Sequence, residues 1–252
     1  MTDTNERQQM DPKKLAKAFG ILFILTWVTA IAGRELMAPV YSEPRYILGN
    51  GATTGVLLGA VFEFLLIVTN IGTAVVLYPI ARRYTQTGAV GYVTARIVEC
   101  AFILVGLLSL LTVVALRQDL AGGAGADTAS LVTAGSALTA TYDWAFLFGP
   151  GLMAGVGNGL ILGYVMYRSG LVPRRLAMLG LAGGAFHVIG FGCVLFGAFD
   201  AGSPGQFLFS IGEMAWEATL PIYVLLKGFR TTRIITLEES APTTPAPSIA
   251  TV

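Results

Sequence analysis

The sequence predicts an all-α fold, a polytopic bundle of six transmembrane helices with both termini in the cytoplasm, and three observations carry that expectation. Only 12% of the residues are charged and 54% are hydrophobic, against about a quarter charged in an ordinary soluble domain. Six apolar runs are present, each near the roughly 20 residues that a helix needs to cross a hydrocarbon layer of about 30 Å. Of the sixteen Lys and Arg, twelve fall on one side of that pattern, three on the other, and Arg96 inside a run.

The first run spans about Leu15 to Gly33, and Lys13, Lys14 and Lys17 stand at its start, the last within snorkelling reach of the headgroups. Ala30-Ile31-Ala32 before Gly33 also fits a cleavable signal, the minor alternative, which would leave the other helices in the same orientation. The second run covers about Thr54 to Ile80, the third Val90 to Leu116 and the fourth Asp143 to Tyr167. The fifth covers about Leu176 to Phe199 and the sixth Phe207 to Leu226.

Orientation follows from the basic residues, because Lys and Arg concentrate on the cytoplasmic side. Arg7 and the three lysines precede the first helix, Arg82 and Arg83 follow the second, Arg168, Arg174 and Arg175 follow the fourth, and Lys227, Arg230 and Arg233 follow the sixth. Only Arg34, Arg45 and Arg117 face the other way. The chain thus divides into a cytoplasmic tail (1–13), a membrane domain (14–230) and a proline-containing cytoplasmic tail (231–252) expected to be disordered. Between helices, Glu35 to Gly51 reads as an outer loop with an Asn50-Gly51 turn, and Gln118 to Tyr142 as a second, with helix starting as early as Ala129. Asp143 and Trp144 read as a helix cap and an interfacial anchor.

A net charge of +1 excludes a basic nucleic-acid groove. Cys100 and Cys193 sit in apolar runs and read as small hydrophobes, so no disulfide framework and no metal knuckle is expected. There is no HExxH, GxSxG or phosphate-binding loop, no cofactor is expected, and one histidine cannot supply a bis-histidine haem. Gly155-Val156-Gly157-Asn158-Gly159 lacks the preceding strand of a dinucleotide loop, and Gly190-Phe191-Gly192 lacks the pore helix of a potassium filter.

Gly151, Gly155, Gly159 and Gly163 recur every four residues, which makes a side-chain-free groove for close helix approach. Gly180 and Gly184 repeat the spacing on the fifth helix, so a contact between helices four and five is favoured over homodimerisation through the same groove.

Several stretches resemble a known family: Leu77-Tyr78-Pro79-Ile80-Ala81-Arg82-Arg83, Gly91-Tyr92 leading to Arg96-Ile97-Val98-Glu99, and Tyr142-Asp143-Trp144 to Gly149-Pro150-Gly151. Gly163-Tyr164 to Arg168-Ser169-Gly170-Leu171-Val172-Pro173-Arg174 and Leu220-Pro221 to Lys227-Gly228-Phe229-Arg230 continue the pattern. Together they resemble the bacterial membrane proteins grouped as domain-of-unknown-function family 4386. That resemblance implies a multi-pass protein of the bacterial cytoplasmic membrane and brings no activity or site residues with it.

Candidate functional residues are the ionisable ones inside the runs, since each costs about 2.5–3.5 kcal/mol at a helix centre on insertion scales. Glu63, His187, Glu213 and Glu217 fall within roughly 6 Å of the midplane at about 1.5 Å per residue, and are expected to line one polar cavity supported by Asn70 and Asn158. Arg96 and Glu99, three apart, are expected to pair. The remaining acids then need a proton or a cation, because several ionised carboxylates cannot share a low-dielectric interior.

These features favour a small proton- or cation-linked carrier. A structural or partner-binding membrane subunit explains the glycine grooves but not the acids, and a membrane enzyme lacks a recognisable catalytic set. The expected partners are the lipid bilayer and a proton or small cation.

Overall fold

The computed structural model describes residues 12–43, 45–49, 52–121 and 127–230. Residues 1–11 of the predicted N-terminal tail, the C-terminal tail from 231 and the Asn50-Gly51 turn lie outside the described residues, while Pro12 and Lys13 already belong to the first helix. Among the described residues six long helices make up the fold: α1 (Pro12–Ser42), α2 (Thr54–Ala81), α3 (Gln86–Ala121), α4 (Thr128–Ser169), α5 (Arg174–Leu195) and α6 (Pro204–Lys227). No strand occurs among the described residues. Helices α1 to α5 are each long and apolar enough to cross a membrane. Helix α6 has 24 residues, or about 36 Å, and is less apolar because Glu213 and Glu217 lie in its middle.

The helices overrun the apolar runs, and this corrects the two long outer loops. Helix α1 continues past Gly33 and through Pro39 to Ser42, so Arg34 lies within a helix. Pro39 needs no N–H partner and sits in the last turn, where its disruption costs least. A short 3-10 turn, Tyr46–Leu48, follows. Helix α4 starts at Thr128, where the Asp127 side chain accepts the Ser130 N–H. Asp143 is therefore an interior residue of α4, and the capping carboxylate is Asp127.

Between Leu147 and Leu162, α4 is wound in the wider π register. This stretch holds Pro150 and five glycines, residues that remove an N–H, or loosen the backbone, where an α ladder would otherwise be regular. Gly170, with φ +67°, ends the helix in the left-handed conformation that a side chain disfavours. Its N–H bonds the Met166 carbonyl at 3.1 Å.

Each helix packs on the next in sequence, and α1 closes the ring by packing on α6. Two apolar clusters fill it. One surrounds Phe19, Leu77, Leu162 and Trp216. The other joins Met37, Ile47, Leu110 and Tyr142. The turns carrying Arg82, Arg83, Arg168, Arg174 and Arg230 lie at the first cluster's end, where the Arg230 N–H bonds the Leu171 carbonyl at 2.8 Å. The outward faces present Val28, Phe64, Val75, Ile97, Leu108 and Phe186, each more than half exposed. Such an apolar girdle suits hydrocarbon and is ill suited to water.

Candidate functional site

Between the two clusters lies a cavity of about 280 Å³ lined by α1, α2, α3, α4 and α6. Its charged lining is Arg34, Glu63, Arg96, Glu99 and Glu217, with Asn70 and Asn158 beside them. Two guanidiniums thus face three carboxylates in the middle of an apolar bundle.

One end of the cavity is organised around Arg96, 2% exposed. Its Nη1 donates to Glu99 Oε2 at 2.7 Å, an ion pair one helical turn long on α3. Its Nε donates to the Tyr92 hydroxyl at 3.2 Å, which lies 3.3 Å from Thr73 Oγ1. Asn70 Nδ2 donates to the second oxygen of Glu99 at 3.1 Å, so both carboxylate oxygens are occupied. The guanidinium also lies 5.5 Å from the centre of the Phe23 ring. From α6, Glu217 faces the same charge and accepts a hydrogen bond from Asn158 Nδ2. Trp216 Nε1 holds Asn158 in place by donating to its backbone carbonyl at 2.9 Å.

The other end holds Arg34 and Glu63. The Arg34 guanidinium lies 4.2 Å from the Phe146 ring centre and 5.7 Å from that of Tyr41, a double cation–π seat. Its Nη1 is buried without a hydrogen-bond partner among the described residues. Glu63 occupies a notch made by the missing side chain of Gly33, where a Cβ would come within 3.0 Å of Glu63 Oε1.

His187 and Glu213 do not line this cavity, which corrects the expectation of a single site holding Glu63, His187, Glu213 and Glu217. The cause is the helical face they take. Glu213 is one turn from Glu217, but its carboxylate is wedged against Gly159, where a Cβ would meet Glu213 Oε2 at 2.5 Å. Both of its oxygens are buried and have no partner among the described residues. His187 points from α5 to the Gly151 carbonyl of α4, at 2.5 Å from Nε2, while its Nδ1 has no partner among the described residues.

The glycines explain that wedge. Gly155 and Gly159 press against Gly184, where a Cβ on Gly184 would come 2.6 Å from the Gly155 carbonyl oxygen. Gly163 meets the backbone of Gly180 and Leu181, while Gly180 receives the Trp216 ring and Gly183 meets Gly212 of α6. A Cβ at Gly151 would meet only atoms of its own helix. The α4, α5 and α6 backbones thus approach too closely for a cavity to form there.

Arg34 is the residue that reading the sequence missed. Its signal is the spacing, since Trp27, Ala30 and Arg34 recur at the three- and four-residue intervals of one helical face. The apolar run ends at Gly33, but nothing there ends the helix.

Among the described residues, six helices in a closed ring, with an apolar exterior and an internal cavity lined by charged side chains, define a multi-pass helical membrane protein. The family model described as a domain of unknown function, DUF4386, matches residues 18–228, and the chain belongs to that family. No curated protein and no solved structure matches it.

Proposed function

We propose that this protein is a small proton- or cation-linked carrier of the bacterial cytoplasmic membrane, with both ends inside, and that the cavity is its substrate site. The observation that carries this reading is the charge imbalance of the lining, two guanidiniums against three carboxylates within about 280 Å³. Charged groups inside a bilayer are costly enough to mark ion and substrate pathways by default, and carriers commonly bind near the midplane. The surplus carboxylate calls for one proton or one monovalent cation, and Glu217 is its seat. Glu99 is committed to Arg96 and Asn70, whereas Glu217 has a single neutral donor.

Proteoliposome flux with a panel of amino acids and lipophilic ions, under an imposed proton or cation gradient, tests this reading. Glu217→Gln is expected to abolish coupled flux while leaving expression and folding intact; undiminished coupled flux in that variant would remove Glu217 from the mechanism. Orientation is tested separately. A cysteine at Gly202 is expected to react with impermeant reagent from outside, and cysteines at Thr85 and Gly170 are not. Outside labelling at Gly170 reverses the topology.

A further inference from the structure

The two ends of the cavity are chemically unlike. At the Arg96 end, the guanidinium is paired with Glu99 and each carboxylate already has a hydrogen-bond donor. At the Arg34 end, a guanidinium lies over two aromatic rings with a buried donor unused among the described residues. Arg34 lies eleven residues beyond Phe23, the α1 residue beside Arg96, which separates the ends by about 16 Å along the helix. The wall between them is largely apolar: Trp27, Ile31, Leu66, Phe102 and Ile103.

A guanidinium is always charged and carries five donors in a planar fork that fits a carboxylate. Cation–π stacking satisfies its faces and leaves the in-plane N–H groups for an acceptor. Glu63 lies within electrostatic reach of Arg34, but no ion pair links them within 4.0 Å among the described residues. Arg34 therefore has room to exchange Glu63 for an incoming anion. Around Glu63 the titratable and charged groups are few: Arg34 and Tyr41 from α1, and Tyr142 from α4. Asp143 of α4 faces Arg34. Arg96 and Glu99 of α3 and Glu217 of α6 line the cavity's far end.

We infer that Arg34 is the anion-binding residue of this cavity, and that the ligand is an organic monocarboxylate with an apolar body, bound together with one proton on Glu63. The carboxylate takes the fork of Arg34, the body lies along Trp27, Leu66 and Phe102, and the proton on Glu63 cancels the charge that Arg34 no longer balances. One anion and one proton enter, in addition to the proton or cation that Glu217 holds, so the cavity's net charge does not change. A doubly charged phosphate would find only one uncommitted guanidinium, and an ammonium would meet Arg34 with the wrong sign. This deepens the carrier reading and rests on it for the transport step, although binding itself is measured independently.

The test is calorimetric binding of octanoate, octanol and octylammonium to the purified full chain in detergent between about pH 6 and 8, where octanoate stays ionised. Octanoate is expected to bind about tenfold or more tighter than octanol, the worth of a charge-assisted hydrogen bond. Its affinity should rise as pH falls, by up to about tenfold per unit as one proton is taken up. Arg34→Gln should bring octanoate to the level of octanol. Glu63→Gln should retain octanoate binding and lose its pH dependence, which keeps the test decisive if the Arg34 variant does not fold. Equal binding of octanol, preference for octylammonium, or pH-independent octanoate binding by the unsubstituted protein would overturn the inference. Flux separates it from the carrier reading: octanoate binding without flux removes transport and leaves the site, whereas coupled flux of another solute without octanoate binding does the reverse.

Discussion

The two sides of α4 treat buried acids in opposite ways. Toward α1, α2 and α3, Glu99 and Glu217 share Arg96, and amide groups bind each carboxylate. Toward α5 and α6, Glu213 is as deeply buried and has no partner among the described residues. The difference lies in the side chains that the helices offer. Where α4 presents Asn158 and Ala154 there is room for a polar network, and where it presents Gly155 and Gly159 the backbones touch and leave none. The glycine seam is a rigid wall against which the polar cavity is built, so the two sides should respond differently to substitution.

The largest effect is expected on the cavity side. Arg96→Met strands Glu99 and Glu217, and removing one member of a buried, hydrogen-bonded pair costs about 3–5 kcal/mol. Thermal unfolding in detergent should show that loss, and adding Glu99→Leu to the same chain should restore part of it. If the double variant is as unstable as the sum of the single ones, Arg96 and Glu99 are not coupled, and the network is less cooperative than its geometry implies.

The seam comes second. A single methyl at Gly159 would overlap the Gly184 Cα and press on Glu213, so Gly159→Ala should cost about 1–3 kcal/mol through overpacking, and Gly159→Leu more. Gly192 has open space around the position of its Cβ. Gly192→Ala should therefore be neutral or stabilising by up to about 1 kcal/mol through helix propensity. Equal stability of the Gly159 and Gly192 variants would mean that α4 and α5 do not meet as described.

A smaller effect, of opposite sign, is expected at Glu213. An ionised carboxylate with no partner in the seam would cost several kcal/mol, which a marginally stable fold could not readily offset, so it should carry its proton. Glu213→Gln should then change stability by less than about 1 kcal/mol, upward if at all. Infrared difference spectra should lose a protonated-carboxyl band in this variant at neutral pH. Retention of that band would assign it to another acid.

Much of this contrast was legible in the sequence, and what was not has a physical reason. The three-residue spacing of Arg96 and Glu99 puts both on one face, and they pair at 2.7 Å. The four-residue glycine spacing likewise marks a face of α4, although a Cβ at Gly151, at its start, would meet only its own helix. The face of α6 was harder to read. Glu213 and Glu217 are one turn apart and share one face in sequence, yet a crossing helix divides them, and α4 meets Glu213 with a glycine and Glu217 with Asn158. Arg34 was hidden by the opposite problem, since hydropathy ends with the apolar run while the helix continues for another two turns.

The smallest effect is expected away from both sides, at the exposed start of α4, and it separates the titration of the surface from that of the interior. The N–H and hydroxyl of Ser130 donate to Asp127 Oδ2 at 3.0 and 2.9 Å, and these bonds hold its carboxyl below the ordinary aspartate value. A depressed folded value contributes stability above the unfolded value of about 3.9 and loses it as the pH falls through the folded value. Asp127 therefore has almost nothing to lose between neutrality and about pH 5. Asp127→Ala should speed amide exchange in the first turn of α4 at neutral pH and leave the unfolding temperature nearly unchanged, because the cap is solvated and holds only a local end. The slope of stability against pH between about 5 and 7 should be the same in this variant and in the parent. A slope that vanished with Asp127 would place the pH-sensitive group at the surface.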